Sequence, residues 1–112
     1  MRITIQYFDG CPHWELADER LRNVLGADHR EDVELEYELI ETPKHAERVG
    51  FHGSPTILLD GRDPFASGTE PVGMSCRVYS TEEGPQGAPT EAQLRELIAA
   101  ERPPQPPHGA DA

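Results

Sequence analysis

Four segments of the chain have the hydrophobic pattern of β-strands. Residues 2–8 and 33–39 alternate between apolar and polar positions, as strands with one buried face do. The polar positions of the second segment are glutamates, which suit the exposed edge of a sheet. Residues 56–60 are apolar almost throughout and predict a central strand that is covered on both faces. Residues 74–81 predict one further strand.

Three other segments have helical features. Apolar residues recur at helical spacing along residues 14–25, and Gly26 predicts the end of that helix. A Thr-Pro pair predicts the start of a short helix over residues 42–49. Thr90 and Gln93 have the spacing of a capping box and predict the start of the last helix.

Together these elements predict an α/β fold of order β-α-β-α-β-β-α. Strands that are joined through a helix are expected to pair in parallel, and the last two strands to form an antiparallel ribbon. The simplest packing is a four-stranded mixed sheet flanked by helices, in one domain over residues 1–101. Residues 102–112 are rich in proline and predict a disordered tail.

The composition argues against several classes of partner. The chain carries 21 acidic and 10 basic residues, a formal net charge of −11, which would repel the phosphates of nucleic acid. No stretch approaches the roughly 20 apolar residues of a membrane span. No hydrophobic signal core follows Met1, so a cytoplasmic location is expected. Neither zinc-ligand spacing nor a phosphate-binding glycine loop is present in the sequence, so no metal and no cofactor are expected.

Cys11 is the strongest candidate for chemistry. It lies where the first strand gives way to the first helix, and Pro12 suits the first helical position, which makes Cys11 the predicted N-cap residue. Backbone N–H groups at a helix N-terminus stabilise a thiolate over a thiol, so this position predicts a nucleophile of low pKa. The structural alternative is an inert cysteine that is buried under the loop.

Two short motifs, together with the element order, resemble the thioredoxin fold over residues 2 to about 100. Residues 11–13 (Cys-Pro-His) resemble the start of the Cys-Pro-His-Cys motif of bacterial thiol oxidants related to thioredoxin. Residues 53–56 (Gly-Ser-Pro-Thr) resemble the cis-proline loop that faces the reactive cysteine in that superfamily. More narrowly, the chain is similar to small actinobacterial thioredoxin-like proteins, some of which are labelled alkylmercury lyase.

The resemblance implies a set of site residues. Cys11 would be the reactive thiolate, and a protonated His13 would favour it by charge. The backbone of Ser54, before a cis Pro55, would present its polar groups to the extended chain of a substrate, and Trp14 would line the pocket. Trp14 stands where the family has its resolving cysteine, so this motif cannot form an internal disulfide. What remains is the chemistry of a single thiol: a mixed disulfide, a sulfenic acid or a metal–thiolate bond.

Cys76 is predicted to lie too far from Cys11 to replace the missing partner. In an antiparallel ribbon, Cys76 lies beside the end of the third strand, whereas Cys11 is expected near Pro55 at its start. About four residues, or roughly 13 Å of strand, would separate them, while a disulfide needs Cα atoms within about 7 Å. The alternation along residues 74–78 predicts that Cys76 packs into the core.

Three functions are compatible with these residues. The main hypothesis is a thioredoxin-fold monothiol oxidoreductase in which Cys11 reacts with a small thiol or disulfide or with a protein disulfide. The second is a non-catalytic binding module of the same fold, whose acidic surface meets a partner protein. The third is capture of a soft metal or an organomercurial by Cys11, with Asp9 and Cys76 as further candidates. The sequence names no substrate, reductant or oligomeric state.

Overall fold

The structure is a computed structural model that describes residues 1–68 and 70–100. In chain order its elements are β1 (Arg2–Tyr7), α1 (His13–Ala27), β2 (Glu34–Leu39), α2 (Pro43–Val49), β3 (Thr56–Leu59), β4 (Tyr79–Thr81), β5 (Gly84–Gln86) and α3 (Glu91–Ala100). The predicted mixture of helices and strands is confirmed. The predicted tail of residues 102–112 and the predicted domain end at residue 101 lie outside the described residues.

β1 is the middle strand of a three-stranded mixed sheet with the order β2-β1-β3. It pairs in parallel with β2, with Ile3 opposite Leu35, as expected for two strands joined through a helix. It pairs in antiparallel fashion with β3, where Ile5 lies opposite Ile57. The glutamate-rich β2 lies at the edge of the sheet, as predicted. The central position predicted for residues 56–60 is wrong, because β1 is the middle strand of this sheet and β3 lies at its other edge.

The main core lies between one face of this sheet and helices α1 and α3. Apolar residues of β1 and β3 pack there against the apolar stripes of both helices: Ile3, Ile5, Ala17, Leu21, Val24, Ile57, Leu59, Leu94 and Ile98. Because alternate strand residues face opposite sides, the intervening Thr4, Glu36 and Leu58 line an open depression on the other face. The two long helices therefore share one face of the sheet.

The ends of α3 and α2 follow the signals in the sequence. At the start of α3, the Gln93 backbone N–H donates to Thr90 Oγ1 at 3.1 Å and the Thr90 N–H donates to Gln93 Oε1 at 2.9 Å. This is the predicted capping box. α2 begins after Thr42, whose hydroxyl accepts from the His45 N–H at 3.0 Å, and it ends at Gly50 with a left-handed φ of 67°.

β4 and β5 form a separate antiparallel ribbon of two strands. The predicted four-stranded sheet is therefore not confirmed, and β5 has no counterpart among the predicted strands. Residues 74–78, predicted to continue β4 towards its N-terminus, are irregular apart from one isolated bridge between Ser54 and Cys76. That bridge runs in parallel, and it determines the geometry of the candidate site.

A smaller core closes the end of the sheet where β1 and β2 finish. Ile40, Ala46 and Phe51 are buried in it. Phe8, which follows β1, meets the Phe51 ring edge-on with 6.5 Å between the ring centroids. This contact holds the loop after α2 against the end of β1.

Candidate active site

Cys11 lies in a tight turn between β1 and α1. Its backbone N–H donates to the carbonyl oxygen of Phe8 at 3.2 Å. The first helical residue is His13 and the N-cap residue is Pro12, so Cys11 precedes the cap by one position. The prediction that Cys11 itself caps the helix is therefore wrong. The proline at position 12 already has helical φ and ψ angles, of −75° and −14°, but it stands outside the first turn.

The thiol of Cys11 contacts two groups. Its Sγ donates to the carbonyl oxygen of Ser54 at 3.3 Å, and the Sγ of Cys76 lies 2.8 Å from it as a hydrogen-bond donor. Both cysteines are free thiols. Donation to Cys11 is the largest cause of a raised pKa at Cys76, and partial burial adds to it. The two thiols and the Ser54 carbonyl thus form a short chain of hydrogen bonds.

A short extended stretch, residues 75–77, brings Cys76 to this position. The Ser54 N–H donates to the Ser75 carbonyl oxygen at 2.8 Å, and the Arg77 N–H donates to the Ser54 carbonyl oxygen at 2.9 Å. Cys76 therefore lies beside Ser54, at the start of β3, and not beside the end of that strand. The predicted separation from Cys11 is wrong because this stretch runs parallel to residues 53–55, whereas an antiparallel register was assumed.

The side chain of Arg77 anchors the 75–77 stretch. Its guanidinium is buried and donates to Asp63 Oδ2 at 2.7 Å and to Thr56 Oγ1 at 3.3 Å. The side chain of Asp63 is only 7% exposed, and its carboxylate accepts a second bond from the guanidinium at 3.4 Å. His52 Nδ1 lies 3.0 Å from the same carboxylate, so this histidine is half-buried and paired and not an isolated loop residue.

Tyr79 is the second anchor of this segment. Its hydroxyl donates to the Pro55 carbonyl oxygen at 2.6 Å, and the Arg77 guanidinium lies 4.8 Å from the centroid of its ring. Burial raises the pKa of the Tyr79 hydroxyl above its ordinary value. Two buried side chains, at positions 77 and 79, therefore fix the chain on either side of an exposed position 78.

The backbone of residue 53 must approach the 75–77 stretch closely. Gly53 has a φ of +104°, and a Cβ at this position would lie 2.9 Å from the Ser75 carbonyl oxygen and 3.2 Å from Arg77 Cβ. A side chain would therefore be strained by the backbone conformation and would push the stretch away. Glycine is the residue that allows Cys76 to reach Cys11.

The two sulfurs differ in exposure. Cys11 has 0% of its surface exposed, whereas Cys76 is an exposed residue. The prediction that Cys76 packs into the core is wrong, because the alternating residues Arg77 and Tyr79 take the buried face and Val78 is 69% exposed. Cys76 lines a cleft of about 430 Å³ that it shares with apolar and polar side chains, among them Phe65, Val78, Glu70 and His52.

His13 and Trp14 lie away from the sulfur pair. The exposed His13 packs its ring against Gly87, where an added Cβ would collide with it. Among the described residues, no hydrogen bond joins the His13 ring to either sulfur. Trp14 stacks on Tyr7 with 4.2 Å between ring centroids and meets Tyr37 edge-on at 6.4 Å. The catalytic role of His13 and the substrate-binding role of Trp14 stay predictions.

Ser54 and Pro55 lie next to Cys11, as the resemblance implies, and the peptide bond between them is cis. Both backbone hydrogen-bonding groups of Ser54 are bonded to the 75–77 stretch. These groups are therefore bonded within the same chain, and the substrate-binding roles of Ser54 and Pro55 stay predictions. The Ser54 carbonyl oxygen accepts from both Arg77 and Cys11.

Comparisons with protein-family models, with curated proteins and with solved structures find no match to this chain. Within the described residues, no helix is both long enough and apolar enough to cross a bilayer. In the same residues, no three or more His, Cys, Asp or Glu side chains are placed so that they could share a metal ion.

Sequence reasoning missed the groups that position Cys76. Arg77 and Asp63 form an ion pair although they lie 14 positions apart in the sequence, and no local pattern connects them. The sequence held one signal of their position: Arg77 and Tyr79 are two residues apart and so lie on the same face of an extended chain. An arginine beside a tyrosine can be buried when a carboxylate pairs with it. Reading that face as the buried one would have placed Cys76 on the exposed side.

Proposed function

We propose that the protein is a thioredoxin-like thiol–disulfide oxidoreductase whose redox pair is Cys11 and Cys76. The observation that carries this proposal is the distance of 2.8 Å between the two Sγ atoms. The sulfurs are closer than the 3.3 Å from Cys11 Sγ to its carbonyl acceptor. A small movement of the sulfurs, with transfer of two electrons to an external disulfide and loss of both thiol protons, converts this contact into a disulfide of about 2.05 Å.

The β2-β1-β3 order and the position of Cys11 opposite the loop of Ser54 and Pro55 support the thioredoxin-like assignment. The pair of cysteines changes one part of the monothiol hypothesis, namely the source of the second sulfur. The partner that the Cys-x-x-Cys motif lacks at Trp14 is supplied by Cys76, which is distant in sequence but adjacent in space. No second thiol from outside the chain is then needed to complete the reaction.

The proposed reaction is exchange with an external disulfide, RS–SR. One cysteine thiolate attacks a sulfur of RS–SR, forms a mixed disulfide with the protein and releases the first RS⁻. The second cysteine then attacks the protein sulfur of that mixed disulfide, forms the Cys11–Cys76 bond and releases the second RS⁻. Two electrons pass from the two cysteines to RS–SR, and two protons leave the protein and appear on two molecules of RSH. The reverse reaction oxidises two external thiols.

The first experiment measures whether this disulfide forms and at what redox potential. The reduced protein is equilibrated in buffers of varied ratio of reduced to oxidised glutathione, quenched with acid, and analysed by intact mass and by peptide mapping. We expect loss of two hydrogens per chain and a peptide that links Cys11 to Cys76. Only glutathione adducts, or no change under strongly oxidising conditions, would exclude the pair.

Three variants test the assignment of residues. Cys11→Ser and Cys76→Ser should each abolish the two-hydrogen mass loss and lower the rate at which the protein catalyses reduction of a small disulfide by an external thiol. Ser75→Ala is the matched control, because Ser75 is exposed and uses only its backbone carbonyl to bond Ser54. It should keep both properties. Full turnover by Cys76→Ser would return the monothiol hypothesis.

A second candidate function is capture of a soft metal ion by the same two sulfurs. Thiolates are the ligands that soft metals prefer, and the sulfur proximity removes the geometric objection to joint binding by Cys11 and Cys76. Titration of the reduced protein with Hg²⁺ tests whether the two sulfurs bind one ion together. Joint capture predicts one ion per chain and loss of that stoichiometry in both serine variants, whereas independent binding at either sulfur predicts that each variant keeps one ion.

The non-catalytic binding module is the remaining alternative. It predicts that Cys11→Ser and Cys76→Ser leave partner binding and cellular function unchanged, even where the disulfide can be made in vitro. Complementation of a deletion strain with the two serine variants and with Ser75→Ala measures this directly.

A further inference from the structure

We infer that Cys76, and not Cys11, is the sulfur that exchanges with external thiols and disulfides, while Cys11 acts as the internal partner. This inference rests on the proposed redox pair and concerns the order of its steps. It reverses the role expected for Cys11, whose position after the first strand suggested a cysteine that meets the substrate.

The exposure of the two residues gives the first argument. Cys11 has no exposed surface, and its thiol contacts the Ser54 carbonyl oxygen and Cys76 Sγ. Thiol exchange needs an approach to the sulfur that is attacked. An external sulfur can reach Cys11 only through local opening of the surrounding chain, and on the side of Cys76 that chain is held by two backbone hydrogen bonds to Ser54.

The surroundings of Cys76 give the second argument. Cys76 is exposed and lines a cleft of about 430 Å³, large enough for a small thiol. Its neighbours in sequence are fixed from the buried side by the Arg77–Asp63 pair and by the bond from Tyr79 to Pro55. The sulfur is therefore presented to solvent on a rigid support.

The 75–77 stretch also occupies the backbone groups expected to receive an extended substrate. Ser54 bonds Ser75 and Arg77 in the way that it was predicted to bond a partner chain. Cys76 consequently stands in the position of a substrate cysteine relative to Cys11. We therefore place the substrate in the cleft that Cys76 lines, called the outer cleft, where the sulfur of Cys76 lies between the substrate and Cys11.

The reductive direction follows from this geometry. In the oxidised protein an external thiolate RS⁻ attacks Cys76 Sγ, forming Cys76–S–S–R. The Cys76–Cys11 bond breaks, and its electron pair remains on Cys11, which then takes up a proton. A second thiolate attacks the R sulfur of the mixed disulfide, releasing RS–SR and leaving Cys76 as a thiolate that is protonated in turn.

The decisive experiment locates the mixed disulfide. Oxidised wild-type protein is mixed briefly with cysteamine, quenched in acid, unfolded, blocked with N-ethylmaleimide and digested with trypsin. Cleavage after Arg20 and Arg77 places the two cysteines in different peptides. We expect cysteamine on Cys76 and maleimide on Cys11. Cysteamine on Cys11 with maleimide on Cys76 would overturn the inference and leave the redox pair intact.

Single-cysteine variants test accessibility without the disulfide. With neutral 2,2′-dithiodipyridine, Cys11→Ser, which keeps Cys76, should react about tenfold or more faster than Cys76→Ser, because a fully buried sulfur reacts only through local opening. In denaturant the two rates should converge, which controls for intrinsic differences between the peptides. Equal native rates would refute the assignment. This comparison holds even if the Cys11–Cys76 bond never forms, so it separates failure of this inference from failure of the proposed function.

Discussion

Ser54 and Cys76 pair as neighbours on two parallel stretches of backbone. This pairing brings the Sγ atoms of Cys11 and Cys76, which are 65 positions apart in the sequence, to a distance of 2.8 Å. It also uses both backbone hydrogen-bonding groups of Ser54. The candidate site therefore depends on the register of a three-residue stretch.

The pH at which Cys76 becomes reactive should depend on Cys11. Hydrogen-bond donation to Cys11 raises the pKa of Cys76, so less of its thiolate is present at a given pH. Cys11→Ala removes the acceptor, and the alkylation profile of Cys76 should shift to lower pH. The rate of alkylation by iodoacetamide, from about pH 6 to about pH 11, spans the ordinary thiol pKa of about 8.5. Identical profiles in the two proteins would show that the two thiols do not interact.

Gly53→Ala should separate the two sulfurs. A Cβ there would lie 2.9 Å from the Ser75 carbonyl oxygen and would occupy a φ of +104°. We expect the backbone strain to cost about 1–3 kcal/mol and the displaced hydrogen bonds to cost about 0.5–1.5 kcal/mol each. Urea unfolding measures the stability, and the rate of disulfide formation measures the position of Cys76.

Gly84→Ala is the matched control for this substitution. Gly84 has a similar φ of +98°, but nothing lies within 4 Å of its added Cβ. It should show the strain without the loss of disulfide formation. If both variants form the disulfide as fast as wild type, the close approach at Gly53 does not position Cys76.

Local patterns predicted the elements of this fold well, and they failed where the contacts are long-range. Thr90 and Gln93 cap α3 as predicted because the capping box needs only four consecutive residues. The alternation in residues 33–39 predicted an edge strand because the polar face shows directly in the sequence. These are properties of single segments.

The position of Cys76 could not be obtained in the same way. It depends on the parallel register beside Ser54, and that register is supported by Arg77 binding Asp63. The prediction that Cys76 faces the core was wrong because the buried face instead carries Arg77, which pairs with Asp63 and stacks on Tyr79. The catalytic role of Cys11 stays a prediction, and its burial results from the same long-range packing.

Asp63→Asn should destabilise the fold and loosen the 75–77 stretch. It removes the charge that compensates the buried Arg77 guanidinium and that His52 also contacts. Breaking a buried pair by removing one partner costs about 3–5 kcal/mol, so urea unfolding should shift strongly and disulfide formation should slow. Asp32→Asn removes the carboxylate from the more exposed pair with Arg30 and should change stability little. Equal effects of the two substitutions would contradict the anchoring role of Asp63.

Glu70 should make the outer cleft select thiols by charge. Its carboxylate accepts backbone N–H bonds from Ser67 and Gly68, which hold its pKa at about 2, so it is ionised at neutral pH. Glu70 lines the same cleft as Cys76. The ratio of reduction rates with cysteamine and with mercaptoacetate should therefore fall in Glu70→Gln and at high salt. Comparing the ratio between the two proteins cancels the intrinsic reactivity of each thiol, and an unchanged ratio would remove Glu70 from the substrate path.

Tyr79 should make the stability of the reduced protein fall above about pH 10, the ordinary tyrosine pKa. Burial raises the pKa of this hydroxyl, so above pH 10 the unfolded chain has lost the proton while the folded chain keeps it. The folded state then binds more protons, and the free energy of unfolding decreases as pH rises.

Tyr79→Phe has no hydroxyl to ionise, so it lacks this dependence of stability on pH. It also lacks the bond to Pro55, which is worth about 0.5–1.5 kcal/mol at neutral pH. The stability difference between the two proteins, measured by urea unfolding in a phosphine reductant, should therefore shrink as pH rises past 10. A constant difference would mean that Tyr79 ionises as readily in the fold as in the unfolded chain.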